Sequence, residues 1–371
     1  MQLLIVLWRD ILVKILFFNI RIDYGGADKM MTYIANHLSK THSVDFLTYR
    51  NAEVLQPLSD RVNHIHNPLY THPNKFIEIF GQIKALRKFI KENKYDLCVS
   101  FLNPASYMLI LATRGLDTKV LLSERGDPNV LTKSKNPFLR LIFKIVQKAN
   151  GYVFQTEEAK KCYSKRAQEN SVVIPNPMPD KEIPEPYEGE RKKVIVTVSR
   201  LDLRQKRQDI LIDAFAKIAP NYPDFSLRLY GDGPDMEKLK DIAEKTGFGD
   251  RIEFAGLCRN VLSSINDCAL FVLSSDFEGI PNALLEAMAC GIPCISTDCS
   301  SGGARVIIKD GTNGIIVPRG DVDALSRAME RLICESDLSK KFSENAVGVI
   351  EEFSKEKIFS MWEAYINQLM K

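Results

Sequence analysis

The stretch FEGIPNALLEAMACGIPCISTDC, residues 277–299, decides the fold class of this chain. Pro281 suits the first turn of a helix and Gly291 suits the residue just past a helix end, so the stretch predicts a loop followed by a helix. The apolar run before it, residues 269–273, is typical of a buried strand. A strand, a loop and a helix in this order predict a ligand site at the carboxyl end of a parallel sheet, where open α/β folds bind their ligands.

Two carboxylates frame the start of that predicted helix, with Glu278 in the loop and Glu286 on the helix. The first backbone N–H groups, those of Asn282 and Ala283, have no acceptor within a helix, and the helix dipole favours an anion beside them. The stretch therefore predicts a site for a phosphorylated ligand that bears hydroxyl groups. The spacing of the two Glu residues alone proves nothing, because Glu is a common residue.

Strand-like runs alternate with helical patterns along the whole chain, which predicts parallel sheets covered by helices. The predicted strands are residues 15–19, 43–48, 97–101, 120–123, 151–155, 194–199, 227–230, 252–254, 270–273 and 293–297. Five prolines between residues 175 and 186 interrupt the alternation, and neither a helix nor a central strand tolerates them. A chain of 371 residues also exceeds what one core usually serves. We therefore expect an amino-terminal domain at 1–180, a linker at 181–192, a second domain at 193–353 and a last amphipathic helix at 354–371.

The composition argues against a metal site and against disulfides. The eight Cys residues show no paired spacing, which is typical of reduced thiols. All five His residues lie within the first 72 positions, so the rest of the chain has no imidazole for acid–base chemistry or metal ligation. Asp321-Val322-Asp323 resembles a metal-binding motif, but its place after Gly320 predicts a helix cap instead. We expect no metal requirement and no cofactor.

The apolar start of the chain raises the question of a membrane span. Arg9, Asp10 and Lys14 interrupt it, and no apolar run approaches the roughly 20 residues that cross a bilayer. It also has no cleavage site of small residues, which a signal peptide would need. Residues 13–20 predict the first buried strand, while residues 1–12 fit either an upstream extension or a surface anchor.

Several motifs together resemble the retaining nucleotide-sugar glycosyltransferases of family four. The motifs are Glu278-Gly279-x-Pro281 before a helix that ends Glu286-Ala287-Met288-Ala289-Cys290-Gly291-x-Pro293, Gly25-Gly26, Val198-Ser199-Arg200-Leu201 with Lys206, Tyr230-Gly231-Asp232-Gly233-Pro234, and Asn313-Gly314-x-x-Val317-Pro318. Each motif alone is a turn or a strand end, but the set extends over nearly the whole chain. The resemblance implies the glycosyltransferase-B fold, with two Rossmann-like domains facing across a cleft and a last helix that packs on the amino-terminal domain. It also implies a retaining, metal-independent hexosyltransferase.

The resemblance further implies which residues bind the donor. Arg200 and Lys206 match the family's diphosphate-binding pair in identity and spacing. Glu278 is expected to face the donor sugar and Glu286 to bind the ribose hydroxyls, since a carboxylate accepts two hydrogen bonds at once. Negative charge grows on the leaving diphosphate, so fixed cations there are the main catalytic asset. A solvated loop without function is the alternative for the two cations, because further Arg residues lie in the same segment.

Backbone groups complete the expected donor site. The residues that the resemblance brings to the donor through their backbone are Gly279, Asn282, Ala283, Gly25 and Gly26. Glycines in such loops let the backbone approach a ligand closely. A glycosidase role for the two Glu residues is disfavoured, because eight helical residues rise roughly 12 Å, beyond the roughly 5–9.5 Å that such carboxyl pairs need.

The acceptor side is expected in the loop that follows a first-domain strand at residues 123–128. Many members of the family carry a His near this point, and this chain has none there. Glu124, Arg125 and Asp127 are the candidates for orienting the acceptor hydroxyl, while contacts of Arg125 with either neighbour that only shape the loop are the alternative. For the glycine-rich segment 301–305, the resemblance implies a loop near the donor, and a plain turn is equally compatible.

The two halves of the chain differ in charge. Residues 1–185 carry 26 Lys and Arg against 18 Asp and Glu, a net charge of +8, which leaves −5 for the rest. A predicted helix at 137–149 places Arg140, Lys144 and Lys148 along one stripe beside a broad apolar face, and a second at 75–94 is similar. Basic amphipathic helices of this kind predict contact with an anionic membrane surface, although an ordinary solvated face has the same pattern. We expect no nucleic acid partner, because aromatic residues do not interleave with these charges.

The chain resembles the bacterial surface-polysaccharide branch of the family, which implies a retaining glycosyltransferase that takes a sugar from a nucleotide donor, expected to be a UDP-sugar such as UDP-N-acetylgalactosamine or UDP-galactose. The expected acceptor is a polyprenyl-diphosphate-linked saccharide of surface polysaccharide synthesis, reached by a cytoplasmic enzyme that sits peripherally on the inner face of the cell membrane. A transferase that acts on a soluble acceptor is one alternative. A non-catalytic nucleotide-sugar-binding partner of a polysaccharide assembly complex is another, which the joint presence of both Glu residues and both cations disfavours.

Overall fold

A computed structural model of the chain describes residues 12–20, 26–49, 57–66, 72–101, 103–179 and 182–371. Contacts between residues divide the chain into two compact units. The first unit comprises Met1–Ile174 and Ile358–Lys371, and the second comprises Pro175–Lys357. The second unit thus begins inside the proline-rich segment. The assignment of an acceptor-binding and a donor-binding domain, with a linker at 181–192, stays a prediction.

The first unit is built on a parallel sheet whose described strands follow the order β3-β2-β1-β4-β5-β6-β7. Its strands are β1 (Lys14–Asn19), β2 (Ser43–Thr48), β3 (Val62–His66), β4 (Leu97–Ser100), β5 (Lys119–Ser123), β6 (Gly151–Phe154) and β7 (Ser171–Val173). The central strands are buried on both faces, as expected for a parallel sheet that is covered by helices.

The second unit contains a parallel sheet with the order β10-β9-β8-β11-β12-β13. Its strands are β8 (Lys192–Val198), β9 (Ser226–Tyr230), β10 (Ile252–Gly256), β11 (Cys268–Leu273), β12 (Cys294–Thr297) and β13 (Ile315–Val317). The strand order reverses between β8 and β11, because the chain leaves β8 toward one edge of the sheet and returns toward the other. Open α/β sheets bind their ligands at such a switch point.

Helices cover both sheets and connect their parallel strands. They are α1 (Gly26–Leu38), α2 (Lys75–Asn93), α3 (Asn103–Thr113), α4 (Asn129–Thr132), α5 (Pro137–Val146), α6 (Glu157–Lys161), α7 (Lys165–Glu169), α8 (Gln208–Ile218), α9 (Met236–Lys245), α10 (Val261–Ile265), α11 (Asn282–Ala289), α12 (Gly303–Ile307), α13 (Val322–Cys334), α14 (Ser336–Ala346), α15 (Val349–Glu352) and α16 (Lys355–Met370), with a 3₁₀ turn at Gly249–Arg251. Helix α16 packs on the first sheet, where Trp362 is buried and Tyr365 donates a hydrogen bond to the Asn170 carbonyl at 2.6 Å.

The predicted alternation of strands and helices in two parallel sheets is confirmed. Each predicted strand is present, with its ends within two residues of the expected positions. The strands β3, β7 and β13 were not in the predicted set. All three lie at sheet edges, and β7 and β13 have only three residues each, which is shorter than the run of about four to eight residues that marks a strand in a sequence.

Local signals at two helix ends account for one confirmed expectation and one correction. Asp321 caps α13, since its side chain accepts the Ala324 N–H at 2.8 Å. The helix that was expected at 137–149 instead ends at Val146, because Lys148 closes a tight turn onto the Ile145 carbonyl. Lys148 therefore lies beyond the helix on which it was predicted.

The start of the chain yields one strand that the structure describes. Strand β1 takes the place of the predicted first strand, and residues 1–11, whose role the sequence left open, lie outside the described residues. Within the described part of the chain, no helix has both the length and the apolar character that crossing a membrane requires.

Candidate active site

Four loops of the second unit gather at the carboxyl edge of its sheet, because the strands that precede them are parallel neighbours. The loops follow β8, β9, β11 and β12. The first contains Arg200 and Lys206, and the third contains Glu278. The structure thus brings these three predicted residues to one edge of one sheet.

Lys206 and Glu278 form an ion pair, with 2.5 Å between Nζ and Oε1. Both side chains are largely buried, with exposed fractions of 18% and 9%. The Ser275 hydroxyl donates to the same carboxylate oxygen at 2.8 Å, and the Gln205 amide reaches the other oxygen at 3.4 Å. A buried charge pair is tolerated when its hydrogen bonds are satisfied, so the carboxylate and the ammonium group are held in fixed positions. This pairing draws Lys206 inward, whereas a solvated loop was the alternative that the sequence left open for it.

Arg200 is more accessible than Lys206, with 59% of its side chain exposed. Its guanidinium contacts the carboxylate of Asp202 at 2.5 Å. Asp202 is itself buried and also accepts the Arg204 N–H at 3.0 Å, while its carbonyl accepts the Lys206 N–H at 2.8 Å. Asp202 therefore shapes the loop that carries both cations. The sequence analysis missed this residue, although Asp is common in turns because its side chain can accept a hydrogen bond from the backbone N–H two residues later.

Arg207 connects two of the loops and is not a free cation. Its guanidinium donates to Asp209 and to Asp276, each at 3.0 Å. The hydrogen bond that Arg207 donates to Asp209 is the main cause that raises the pKa of Arg207 above its usual value, and the one to Asp276 adds to it. The residue therefore fixes the loop after β8 against the loop after β11.

The glycines of the segment after β9 allow a close approach to the Arg200 loop. A Cβ atom at Gly231 would lie 2.0 Å from the Ser199 carbonyl oxygen, and one at Gly233 would lie 2.2 Å from the Leu201 carbonyl oxygen. Gly231 also has a φ of +130°, which favours glycine. The loop after β9 can therefore pack directly on the backbone of the loop after β8, which holds Arg200 at the sheet edge.

Helix α11 begins and ends close to where the sequence predicted. Pro281 caps its start, and Gly291 follows its end with a φ of +65°. The first hydrogen bonds of the helix come from the N–H groups of residues 284 and 285 to the Pro281 carbonyl. The N–H groups of Asn282 and Ala283 precede that ladder and are suited to an anion. Glu286, which is 7% exposed, lies one turn further along.

The loop after β12 holds the backbone of Glu278 in place through a hydrogen bond. The Ser300 carbonyl accepts the Glu278 N–H at 2.6 Å. A Cβ atom at Gly303 would lie 1.5 Å from the carbonyl oxygen of Gly279, so only glycine fits there without movement. The glycine-rich segment 301–305 is therefore in contact with the loop that carries Glu278, and its place near the donor stays a prediction.

The three acceptor-side candidates lie in the first unit, and two of them have shaping contacts. Glu124 is buried and accepts the Tyr163 hydroxyl at 2.7 Å and the Gly126 N–H at 3.0 Å. Asp127 accepts the N–H and the side-chain amide of Asn129, at 2.9 and 2.8 Å. These contacts favour a structural role for both carboxylates.

Arg125 lies against two aromatic rings. The centre of its guanidinium is 4.6 Å from the ring centroid of Phe101 and 5.5 Å from that of Trp362. Burial lowers the pKa of Arg125 to about 9, against the opposing charge of Glu124. Burial thus disfavours the charged form of Arg125. The contact of Arg125 with Trp362 also connects the predicted acceptor loop to the last helix, α16. Of the expected glycines, Gly26 is the exposed first residue of α1, and Gly25 lies outside the described residues.

Comparisons with known proteins cover almost the whole chain. The family described as "Glycosyltransferase Family 4" matches residues 24–182, and the one described as "Glycosyl transferases group 1" matches residues 179–348. An N-acetylgalactosaminyltransferase of Campylobacter jejuni, named for a diNAcBac-PP-undecaprenol-linked acceptor, is 25% identical over 95% of this chain and 97% of its own length. An exopolysaccharide phosphotransferase of Streptomyces coelicolor is 34% identical, but the match covers 53% of this chain and 21% of that protein.

One solved structure with the same architecture is that of the Anabaena protein HepE in complex with UDP-glucose. It superimposes with a TM-score of 0.75 at 18% identity, over 96% of this chain and all of that chain. The likeness confirms the predicted glycosyltransferase-B fold.

Replacing Gly303 by Ala tests the support behind Glu278. We expect Gly303→Ala to lower the free energy of unfolding by about 1–3 kcal/mol, because the added Cβ must displace the backbone of Gly279. Urea denaturation of the variant measures this change. Gly348→Ala is the matched control in the same unit, since its Cβ would meet its nearest atom at 3.4 Å. Equal losses in the two variants would contradict the packing described for the loop.

Proposed function

The chain belongs to glycosyltransferase family four, whose members are retaining, metal-independent hexosyltransferases, and we propose that its second unit binds a UDP-sugar at the edge that holds Lys206 and Glu278. The observation that carries the proposal is their ion pair, which places a cation and a carboxylate side by side among loops at the switch point of the sheet. A phosphate group and a sugar hydroxyl are complementary to these two charges.

The proposed reaction uses the cations of the first loop for the leaving group. As the bond between the anomeric carbon and the diphosphate breaks, negative charge grows on the phosphate oxygens. Arg200 and Lys206 would neutralise that charge, and the N–H groups at the start of α11 would add hydrogen bonds and a favourable dipole. Because the ion pair with Glu278 holds Lys206 in place before the donor arrives, this cation needs little reorganisation in the transition state.

Glu278 and Glu286 have different proposed tasks. Glu278 is fixed by Lys206 and Ser275 and would accept a hydrogen bond from the donor sugar while favouring positive charge at the anomeric carbon. Glu286 lies on α11, one turn beyond the N–H groups proposed for the phosphates, where it would bind the ribose hydroxyls.

The proposed donor is UDP-N-acetylgalactosamine or UDP-galactose, and the proposed acceptor is a polyprenyl-diphosphate-linked saccharide. The name of the Campylobacter jejuni relative supports an N-acetylgalactosaminyl donor and such an acceptor, and the HepE complex supports UDP as the nucleotide. This acceptor would bring the enzyme to the inner face of the cell membrane as a peripheral protein.

A thermal-shift screen across UDP-, GDP- and ADP-sugars tests the donor. A ligand at a hundred times its dissociation constant adds about 2.7 kcal/mol to the free energy of unfolding. We expect UDP-sugars to raise the melting temperature and the other two classes to leave it unchanged. Turnover of the stabilising sugar nucleotide would then separate an enzyme from a non-catalytic binding partner. A short soluble saccharide as acceptor would test whether the lipid is required.

Arg200→Ala tests the assignment of the diphosphate site. We expect turnover to fall on the order of 100-fold to 1,000-fold, which is typical for losing one preorganised group that stabilises developing charge. Turnover should fall far more than folding stability, because the side chain is mostly exposed and the Asp202 carboxylate keeps the hydrogen bond from the Arg204 N–H. Arg204→Ala, in the same loop with 88% of its side chain exposed, is the control that should keep near-full turnover. A variant of Arg200 with normal turnover at saturating donor would mean that the phosphates bind elsewhere.

The two Glu residues should separate in steady-state kinetics. Glu286→Gln is expected to raise the Michaelis constant for the donor with little change in turnover, since ribose contacts hardly differ between ground and transition states. Glu278→Gln should mainly lower turnover, because its charge acts on the transition state. Initial rates over a range of donor concentrations measure both constants. The reverse pattern would exchange the two roles.

A further inference from the structure

We propose that the first unit inserts an apolar patch into the interfacial region of an anionic lipid bilayer. The insertion patch consists of Phe76, Ile77 and Phe80 on α2 and of Phe138 and Leu141 on α5. The proposal rests on the proposed function, because a lipid-linked acceptor would bring the enzyme to a membrane. Its physical argument comes from the exposure of the patch, its place on the first sheet and the charge around it.

The residues of the insertion patch are exposed although they are large and apolar. The exposed fraction is 77% for Phe76, 73% for Phe80 and 52% for Leu141. Further along α2, Leu86 and Ile90 are completely buried in the core. For the helix at 75–94 the sequence predicted contact with an anionic membrane surface and left an ordinary solvated face as the alternative, and the exposure of Phe76 and Phe80 favours the first of these. Phe76 and Phe80 are about one helical turn apart on α2, as are Phe138 and Leu141 on α5, and exposed apolar residues grouped in this way mark an interaction surface.

Both parts of the patch lie at the carboxyl edge of the first sheet. Helix α2 follows β3 and helix α5 leads into β6, so both run antiparallel to the strands and begin at that edge. Both also pack on α3, which places them in one layer on the same face of the sheet. The predicted acceptor loop at 123–128 follows β5 and therefore lies at the same edge. A lipid surface that contacts the patch would be next to the loop that is expected to meet the acceptor.

Basic residues surround the insertion patch. Residues 72–94 and 129–150 together carry 11 Lys and Arg against two Asp and Glu, a net charge of +9, whereas the whole chain carries +3. Lys75, Lys135 and Arg140 are exposed next to the patch in sequence. The second of these segments contains no acidic residue. This distribution is complementary to anionic lipid headgroups.

The combination favours a bilayer over a protein partner. Lysine is depleted at the centres of protein interfaces, while aromatic and aliphatic residues ringed by Lys and Arg are typical of surfaces that lie in the headgroup region. The aromatic rings would enter the boundary of the acyl chains, and the lysines would stay with the phosphates.

Sedimentation with vesicles tests the proposal. The full chain is mixed with vesicles of phosphatidylglycerol and phosphatidylcholine, or of phosphatidylcholine alone, with neither donor nor acceptor present. We expect binding to the anionic vesicles and a loss on the order of 10-fold to 100-fold in the partition coefficient for the double variant Phe76→Ser with Phe80→Ser, because each ring transfers a large apolar surface from water. Leu257→Ser, which removes an 82% exposed apolar side chain from the second unit, is the matched control and should bind as the wild type does.

A second variant separates charge from insertion. Arg140→Glu, Lys144→Glu and Lys148→Glu together should abolish binding at low salt, since each basic residue near an anionic surface contributes to the attraction, and high salt should weaken binding of the wild type. Wild-type binding by the Phe76 and Phe80 double variant would overturn the insertion patch. Self-association of the wild type without vesicles that the double variant loses would also overturn it, in favour of an interface between copies.

The result of the vesicle experiment does not depend on the proposed glycosyl transfer. Vesicle binding needs no turnover, so a chain that binds vesicles but no sugar nucleotide would disprove the proposed function alone. Conversely, the double variant should keep full activity on a short soluble acceptor, because its replaced side chains are exposed on α2 of the first unit. Loss of that activity together with a normal circular dichroism spectrum would contradict a role confined to the membrane.

Discussion

The ion pair between Lys206 and Glu278 is the contact on which the candidate site depends. It joins the loop after β8 to the loop after β11, the two strands between which the strand order reverses. Taking both charges out of water is costly, and the site repays the cost with the hydroxyl of Ser275 and the amide of Gln205. Removing either partner would leave a buried charge uncompensated, so the geometry of the site and the stability of this edge are linked.

Several motif residues act by bringing backbones together rather than by offering a functional group. Gly231 and Gly233 make room for the Arg200 loop, and Gly303 makes room for Gly279. Asp202 then holds the turn between the two cations from within the protein. These residues resemble binding residues in the sequence because they lie in the same motifs. Their physical role is to allow the four loops after β8, β9, β11 and β12 to approach one another closely.

The sequence was informative wherever the signal is local. The ends of α11 follow from a proline and a glycine ten positions apart, and central strands follow from apolar runs. The pairing of Lys206 with Glu278 spans 72 residues, and no local pattern encodes it. Edge strands such as β7 and β13 escaped prediction because they have only three residues each. The sequence also did not reveal that Lys206 points inward, because tertiary packing determines that position as well.

The exposure of Phe76 and Phe80 follows from the unequal lengths of α2 and the strands beneath it. At 1.5 Å per residue, the 19 residues of α2 span about 28 Å. Strand β4 has four residues and strand β1 has six, which at about 3.3 Å per residue amount to roughly 13 and 20 Å. A helix that is buried near its end, at Leu86 and Ile90, must therefore extend past the carboxyl edge of the sheet at its start. The sheet cannot cover an apolar stripe that continues over this overhang, so the stripe is exposed to the lipid surface that we propose as its partner.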